Sequence, residues 1–205
     1  MTIELIVIAG ATIFVLSSLY FAFNKKHFDK IDSALLVSLI TIGSYILFLS
    51  SLTGGPFTTF NESGEPLLWT RWIGYIGSCT LLMWHIASRV KIDLPRKVEL
   101  MYLTGITMLT GALASVTDGW IMISLFALGG VTYTMMMYIL WQGDQTKLAP
   151  IKKYIYFGWS VFPIVFLLSP EGFGVISTIV SISALLALDI FTKIIFYLEE
   201  KGAQA

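Results

Sequence analysis

The chain has 205 residues, of which 56% are hydrophobic and 13% charged, with a mean hydropathy of +0.80 and a formal net charge of zero. That composition excludes an ordinary soluble domain, and the missing positive charge excludes nucleic acid as a partner. A single cysteine, Cys79, excludes an intrachain disulfide.

Apolar runs punctuated by short polar loops predict seven transmembrane helices, near 2–24, 31–53, 67–89, 98–116, 119–141, 151–169 and 173–198. Each approaches the roughly 20 residues that cross a hydrocarbon core of about 30 Å. The expected fold class is an all-α membrane protein, one seven-transmembrane helix bundle over residues 1–205. The first run, Ile3 to Phe23, is long enough to span and lacks a basic leader, so it is expected to remain as the first helix.

Basic residues set the orientation. Lys25, Lys26 and Lys30 follow the first helix, with His27 expected to be solvated among them; Arg89, Lys91, Arg96 and Lys97 follow the third. Lys147, Lys152 and Lys153 follow the fifth, and Lys201 the seventh. The opposite loops carry Glu62, Glu65, Asp118 and Glu171 and no Lys or Arg. The positive-inside rule then places the N-terminus outside and the C-terminus in the cytoplasm of a multi-pass cell-membrane protein.

In the third helix Arg71, Gly74, Ser78, Leu82 and His85 advance by three or four residues, so they share one face from end to end. In the sixth, Trp159, Phe162 and Phe166 form an aromatic stripe, either plain core packing or a clamp for a flat polyene. Pro163 would kink that helix by removing a backbone donor. The seventh, "ALLALDIFTKIIFYL", carries Asp189 and Lys193 one turn apart. A charge at mid-bilayer costs about 2.5–3.5 kcal/mol even on the mildest scale. The pair is therefore either a structural tie between helices or a lysine bearing a covalently bound aldehyde, with Asp189 as the counterion of the resulting cation.

Three stretches carry a family resemblance: "LDIFTK" in the last helix, "FGWSVFPIVFLLSPEG" (157–172) and "PLLWTRWIGYIGSCTLLMWH" (66–85). Together they resemble microbial rhodopsins across all seven helices in order. The resemblance implies all-trans retinal bound covalently to Lys193 as a Schiff base, with Asp189 as counterion. It also implies a retinal pocket of Tyr75, Cys79, Leu82, Thr107, Trp159, Phe162, Pro163 and Phe166. It implies a lipid-embedded photoreceptor or transporter rather than an enzyme, no metal, and a homo-oligomer, commonly a trimer.

In outward proton pumps of the family, the Gly74 position carries the carboxylate that accepts the Schiff-base proton, and the His85 position commonly carries one that resupplies it. This chain has neither. Asp189, flanked by the Schiff base and Arg71, would be a poor acceptor, since both neighbours favour its anion. The pattern resembles schizorhodopsins, which carry protons inward under light and have Ser and Cys where this chain has Ser78 and Cys79. Two positions differ: that group usually has Phe where Gly74 stands and Glu where His85 stands. Gly74 is expected to leave a small cavity or water site.

The expected proton pathway is Arg71, Ser78 and His85. Histidine titrates near neutrality, which suits reversible transfer, but a His near a helix end beside Arg89 can equally be interfacial and inert. Glu171, whose pairing position is Ser181, is expected to be a solvated loop carboxylate. The function implied is a light-driven inward proton transporter; a sensory photoreceptor or a light-driven anion pump is the alternative.

Overall fold

A computed structural model describes residues 2–24, 32–55 and 69–202, with residues 201 and 202 described by backbone alone. Lys25, Lys26, His27, Lys30, Glu62, Glu65 and the expected start of the third helix at 67–68 lie outside the described residues, as does the side chain of Lys201. The first five spans are single helices: α1 Ile3–Phe23, α2 Ser33–Leu52, α3 Thr70–Arg89, α4 Leu94–Ala114 and α5 Gly119–Trp141. The last two are composite. The sixth runs through α6 Gln145–Leu148, a 3₁₀ turn Ala149–Ile151, a π turn Lys153–Gly158 and α7 Trp159–Leu168. The seventh runs through α8 Thr178–Asp189, a π turn Ile190–Ile195 and α9 Phe196–Gly202.

Helix ends depart from the hydropathy pattern where local capping decides them. α4 starts at Leu94, ahead of the expected 98, because Asp93 stands at the cap in extended geometry and Pro95 occupies the first turn, where no backbone N–H is needed. The charges that hid this turn are exposed and paired, Arg96 Nη1 lying 2.7 Å from Glu99 Oε2. α8 starts at Thr178, not 173, because Ser177 caps it by accepting from the Val180 N–H at 3.4 Å. The preceding residues turn back instead, the Phe173 N–H donating to the Leu167 carbonyl at 2.7 Å. The sixth span begins earlier than 151, and its 55° bend falls between Ile151 and Lys153, well before Pro163. Pro163 itself lies inside α7.

Successive helices from α1 to α5 pack side by side, α1 also meets α8, and α7 lies against α8, so the seven spans form one helical bundle. Its surface is inverted relative to a soluble protein. On α4 the side chains of Leu94, Val98, Tyr102, Ile106, Leu109 and Leu113 recur every three or four residues and are all exposed, a stripe for lipid. α1, α2, α5 and Thr178–Glu200 are long and apolar enough to cross a membrane, and the bent sixth pair passes the same test together. α3 is the polar member, and its Arg71, Ser78 and Thr70 are buried in the bundle, where neighbouring helices shield them.

The two π turns pack against each other, bringing the widened turn of the sixth span to the turn that bears Lys193. A π turn shifts the register of the side chains that follow it, and such turns recur at functional sites.

Candidate functional site

Asp189 closes α8 and Lys193 follows one turn on, both buried. Lys193 Nζ lies 2.7 Å from Asp189 Oδ1, an ion pair held by charge rather than by a directed hydrogen bond. The other carboxylate oxygen accepts from two hydroxyls, Tyr45 of α2 at 3.2 Å and Tyr75 of α3 at 3.1 Å. The ammonium also sits 4.4 Å from the centre of the Tyr75 ring. One carboxylate thus ties α2, α3 and the seventh span together.

Tyr45 is absent from the sequence reading, and α1 makes room for it. A Cβ at Gly10 would stand 2.4 Å from the Tyr45 ring, so glycine is what lets the phenol lie between α1 and the site.

From Lys193 a cavity extends across the bundle, enclosing about 930 Å³ of empty space, part of it continuous with the surroundings. Tyr75, Cys79, Thr107, Trp159, Phe162, Pro163 and Phe166, singled out from sequence, all line it. Leu82 does not; it packs in the core with Met83, Ile86, Phe196 and Tyr197. The aromatic walls are interlocked: Tyr75 meets Phe162 edge-on at 5.8 Å, Trp72 meets Phe166 at 5.9 Å, and Phe126 stacks on Phe166 at 5.7 Å. Trp72, Phe126, Tyr133 and Leu185 also line the space. Phe126, Tyr133 and Leu185 were missed because each stands in a run that is apolar on every side, where periodicity gives no inward face, and Trp72 because it stands beside the face traced by Arg71, Gly74 and Ser78.

The third-helix residues do not form one continuous contact. Arg71 and His85 are fourteen residues apart, about 21 Å along a helix, and fully buried Ser78, Leu82 and Met83 lie between. At the Arg71 end, Arg71 Nη2 lies 3.0 Å from Glu171 Oε2, with side-chain exposures of 8% and 1%. Glu171 is therefore a buried ion-pair partner and not a solvated loop carboxylate. The turn after α7 folds it inward, its own N–H donating to Ser169 Oγ at 3.3 Å. Ser181 spends its hydroxyl on the Thr178 carbonyl of its own helix, at 2.9 Å.

Gly74 leaves no cavity. A Cβ there would stand 2.2 Å from the Ser44 Cβ, because α2 presses against α3 at that point, and Ser44 Oγ donates to the Arg71 carbonyl at 3.1 Å. A carboxylate at this position would collide with α2. The small hollow near the ion pair lies elsewhere, between Arg71 and Asp189, with Ser44, Tyr45 and Tyr75 on its wall.

At the other end, His85 is bonded on both ring nitrogens: Nδ1 lies 2.8 Å from Ser33 Oγ and Nε2 lies 2.6 Å from Glu200 Oε2. Arg89 Nη1 donates to the second oxygen of Glu200. His85 is thus a bridge between α2, α3 and α9 and not a side chain reaching alone into the interface. Arg89 meets the carboxylate as well. Glu200 was missed because "LEEKG" reads as a charged helix end; its neighbour Glu199 is that, half exposed and paired with Lys153 at 2.8 Å. The seven-residue spacing of Glu200 from Lys193, two helical turns, was the available signal.

The chain can therefore hold a buried amine against a fixed carboxylate at the inner end of an aromatic slot. That combination fits a long apolar carbonyl compound condensed on Lys193 Nζ, since one amine faces the space and its walls are rings and methyl groups.

The sequence matches the family described as "Bacteriorhodopsin-like protein" over residues 1–198. In structure it is similar to the crystal structure of schizorhodopsin 4, with a TM-score of 0.88 and 33% identity, covering 97% of this chain and 99% of that one. In sequence it is similar to sensory rhodopsin-2 of Haloarcula vallismortis, 22% identical over 170 residues, which is 77% of this chain and 72% of that one. Bacteriorhodopsin of Halobacterium salinarum is 22% identical over 204 residues, 91% of this chain and 78% of its own.

Proposed function

The chain belongs to the bacteriorhodopsin-like family, and from that premise we propose that it is a retinal-binding transporter that carries protons inward under light. The observation that carries this reading is the combination of a buried Lys193–Asp189 pair, 2.7 Å apart, with Gly74 in place of an acceptor on α3. All-trans retinal bound at Lys193 Nζ would supply a light-driven isomerisation that re-aims the N–H.

The protein's own groups do the rest. Tyr75, Trp159, Phe162 and Phe166 line the slot and would pack against a flat polyene held there. Asp189 is fixed by two phenols and faces the cation, so it steadies that charge. With no carboxylate on the Arg71 side of α3 to receive it, the proton leaves Lys193 Nζ towards the His85 end. The next proton reaches Nζ from the Arg71 end. In this reading the His85 end is cytoplasmic, by the Lys and Arg clustered there, and the chain is a single domain in the cell membrane, homo-oligomeric like its family. The likeness to schizorhodopsin 4 over nearly the whole of both chains supports the inward direction.

Expressing cells supplied with all-trans retinal, suspended in weak buffer and illuminated, test the reading. The expected result is an external pH rise abolished by a protonophore. Acidification would overturn the direction, and a coloured, photocycling protein without pH change would make it a sensor.

A further inference from the structure

Three side chains, His85, Arg89 and Glu200, meet at the His85 end, and one of them, Glu200, has no part in the pathway read from sequence. We propose that Glu200 is the proton-holding carboxylate of that end, and that Ser33, His85 and Arg89 form with it a latch that opens when Glu200 is neutralised. The proposal rests on the inward reading above and names the group that receives the proton.

Glu200 is 5% exposed, at the end of the same span as Lys193 and seven residues beyond it, about 10 Å along the axis. Both its oxygens are engaged, Oε2 by His85 Nε2 at 2.6 Å and Oε1 by Arg89 Nη1. The adjacent carboxylate shows what a merely solvating residue looks like here: Glu199 is half exposed and pairs with surface Lys153. Between Lys193 and Glu200 the packing is apolar, with Leu82, Phe196 and Tyr197 all buried, so a proton crosses only when water enters that layer.

Among the described residues the charged and titratable neighbours are Asp32 at the start of α2, His85 and Arg89 on α3, and Tyr197 on α9. Among them His85 connects the carboxylate to the outside. Its Nε2 faces Glu200, its Nδ1 faces Ser33, and its side chain is 29% exposed. An imidazole bonded at both nitrogens can take a proton on one and release it from the other.

The proton balance is closed by these groups. The N–H bond at Lys193 Nζ breaks and an O–H bond forms on Glu200, which becomes neutral. A neutral carboxyl no longer attracts Arg89, so the tie between α3 and α9 weakens as the proton arrives. The proton then passes through His85 to solvent, Glu200 regains its charge, and the latch closes before Nζ takes its next proton from the Arg71 end.

The test compares wild type, Glu200→Gln and Glu200→Asp by light-minus-dark infrared spectroscopy of the retinal-bound protein and by amide hydrogen exchange of the chromophore-free protein. The expected wild-type spectrum gains a protonated-carboxyl band during the cycle, lost in Glu200→Gln and displaced in Glu200→Asp. Light-driven proton uptake falls at least about tenfold in Glu200→Gln and is partly regained in Glu200→Asp. Without chromophore, exchange near residues 86–90 and 196–199 quickens about tenfold in Glu200→Gln, because the latch is already open. A band that survives in Glu200→Gln, or exchange that does not change, overturns the proposal. If Glu200→Gln forms no pigment, the displaced band of Glu200→Asp decides. A Glu200 band with no wild-type pH change in cells would sustain this inference and sink the transport reading instead.

Discussion

The two ends of α3 present the same ingredients in different states. At one, Arg71 and Glu171 meet with side-chain exposures of 8% and 1%, a pair between a permanent cation and a carboxylate. At the other, Glu200 is as deeply buried, yet it shares its two oxygens between Arg89 and His85, and His85 reaches towards solvent through Ser33. A guanidinium stays charged throughout the physiological range, whereas an imidazole changes charge near neutrality. The difference between a seal and a switch lies in whether a member of the cluster can change its charge, and at the His85 end the described residues include such a member, an imidazole, beside the carboxylate.

Several substitutions break or sharpen that contrast. The largest effect is expected between the two ends. Lys193→Ala removes the amine that would hold the chromophore and leaves Asp189 buried without its cation, so the purified protein should show no visible band. The lost pairing should also destabilise it by about 3–5 kcal/mol. A coloured Lys193→Ala protein would refute the site.

Glu171→Gln should cost about 3 kcal/mol of stability by stranding the Arg71 charge, read as a lower thermal bleaching temperature, while the sign of light-driven pH change is kept. A variant as stable as wild type would mean that this end is not sealed by charge. Gly74→Ala should destabilise by about 1–3 kcal/mol by pushing α2 from α3, and adding Ser44→Gly should restore most of it. Failure of that rescue would remove Ser44 as the obstacle.

His85→Gln should change stability by only about 1 kcal/mol but slow proton release about tenfold, measured with a pH-indicating dye after a flash. Unchanged release would take His85 out of the route. The smallest effect is expected outside the spans. The Asp144 carboxyl is held below its ordinary range, first by the Thr146 hydroxyl, 2.6 Å away. Its folded value is depressed, so its contribution is full above the unfolded carboxylate range and fades as pH falls through the folded value. Thr146→Val should therefore lower thermal stability slightly at neutral pH and not at all in strong acid, as a pH series of melting curves would show.

What could be read from sequence was what is local. Asp189 and Lys193 share a face four residues apart, and Trp159, Phe162 and Phe166 follow helical spacing, so one helix is enough to bring them together. The partners of the charged residues were not local. Glu171 reaches Arg71 across 100 residues of sequence and Glu200 reaches His85 across 115, and in both cases the carboxylate stands at a helix end where exposure is the ordinary expectation. Gly74 misled in another way: a missing side chain suggested space, but space is set by the neighbouring helix, and α2 had filled it with Ser44. The starts of α4 and α8 were hidden because Asp93–Pro95 and Ser177 act through capping geometry that hydropathy does not weigh.

The central claim is direction, and a photocurrent reads it most directly. Expressing cells clamped at zero applied voltage, with equal pH on both sides and chloride-free solutions, are illuminated after addition of all-trans retinal. The account predicts a current of positive charge into the cell that persists for as long as the light is on. A sustained outward current under the same conditions would contradict it.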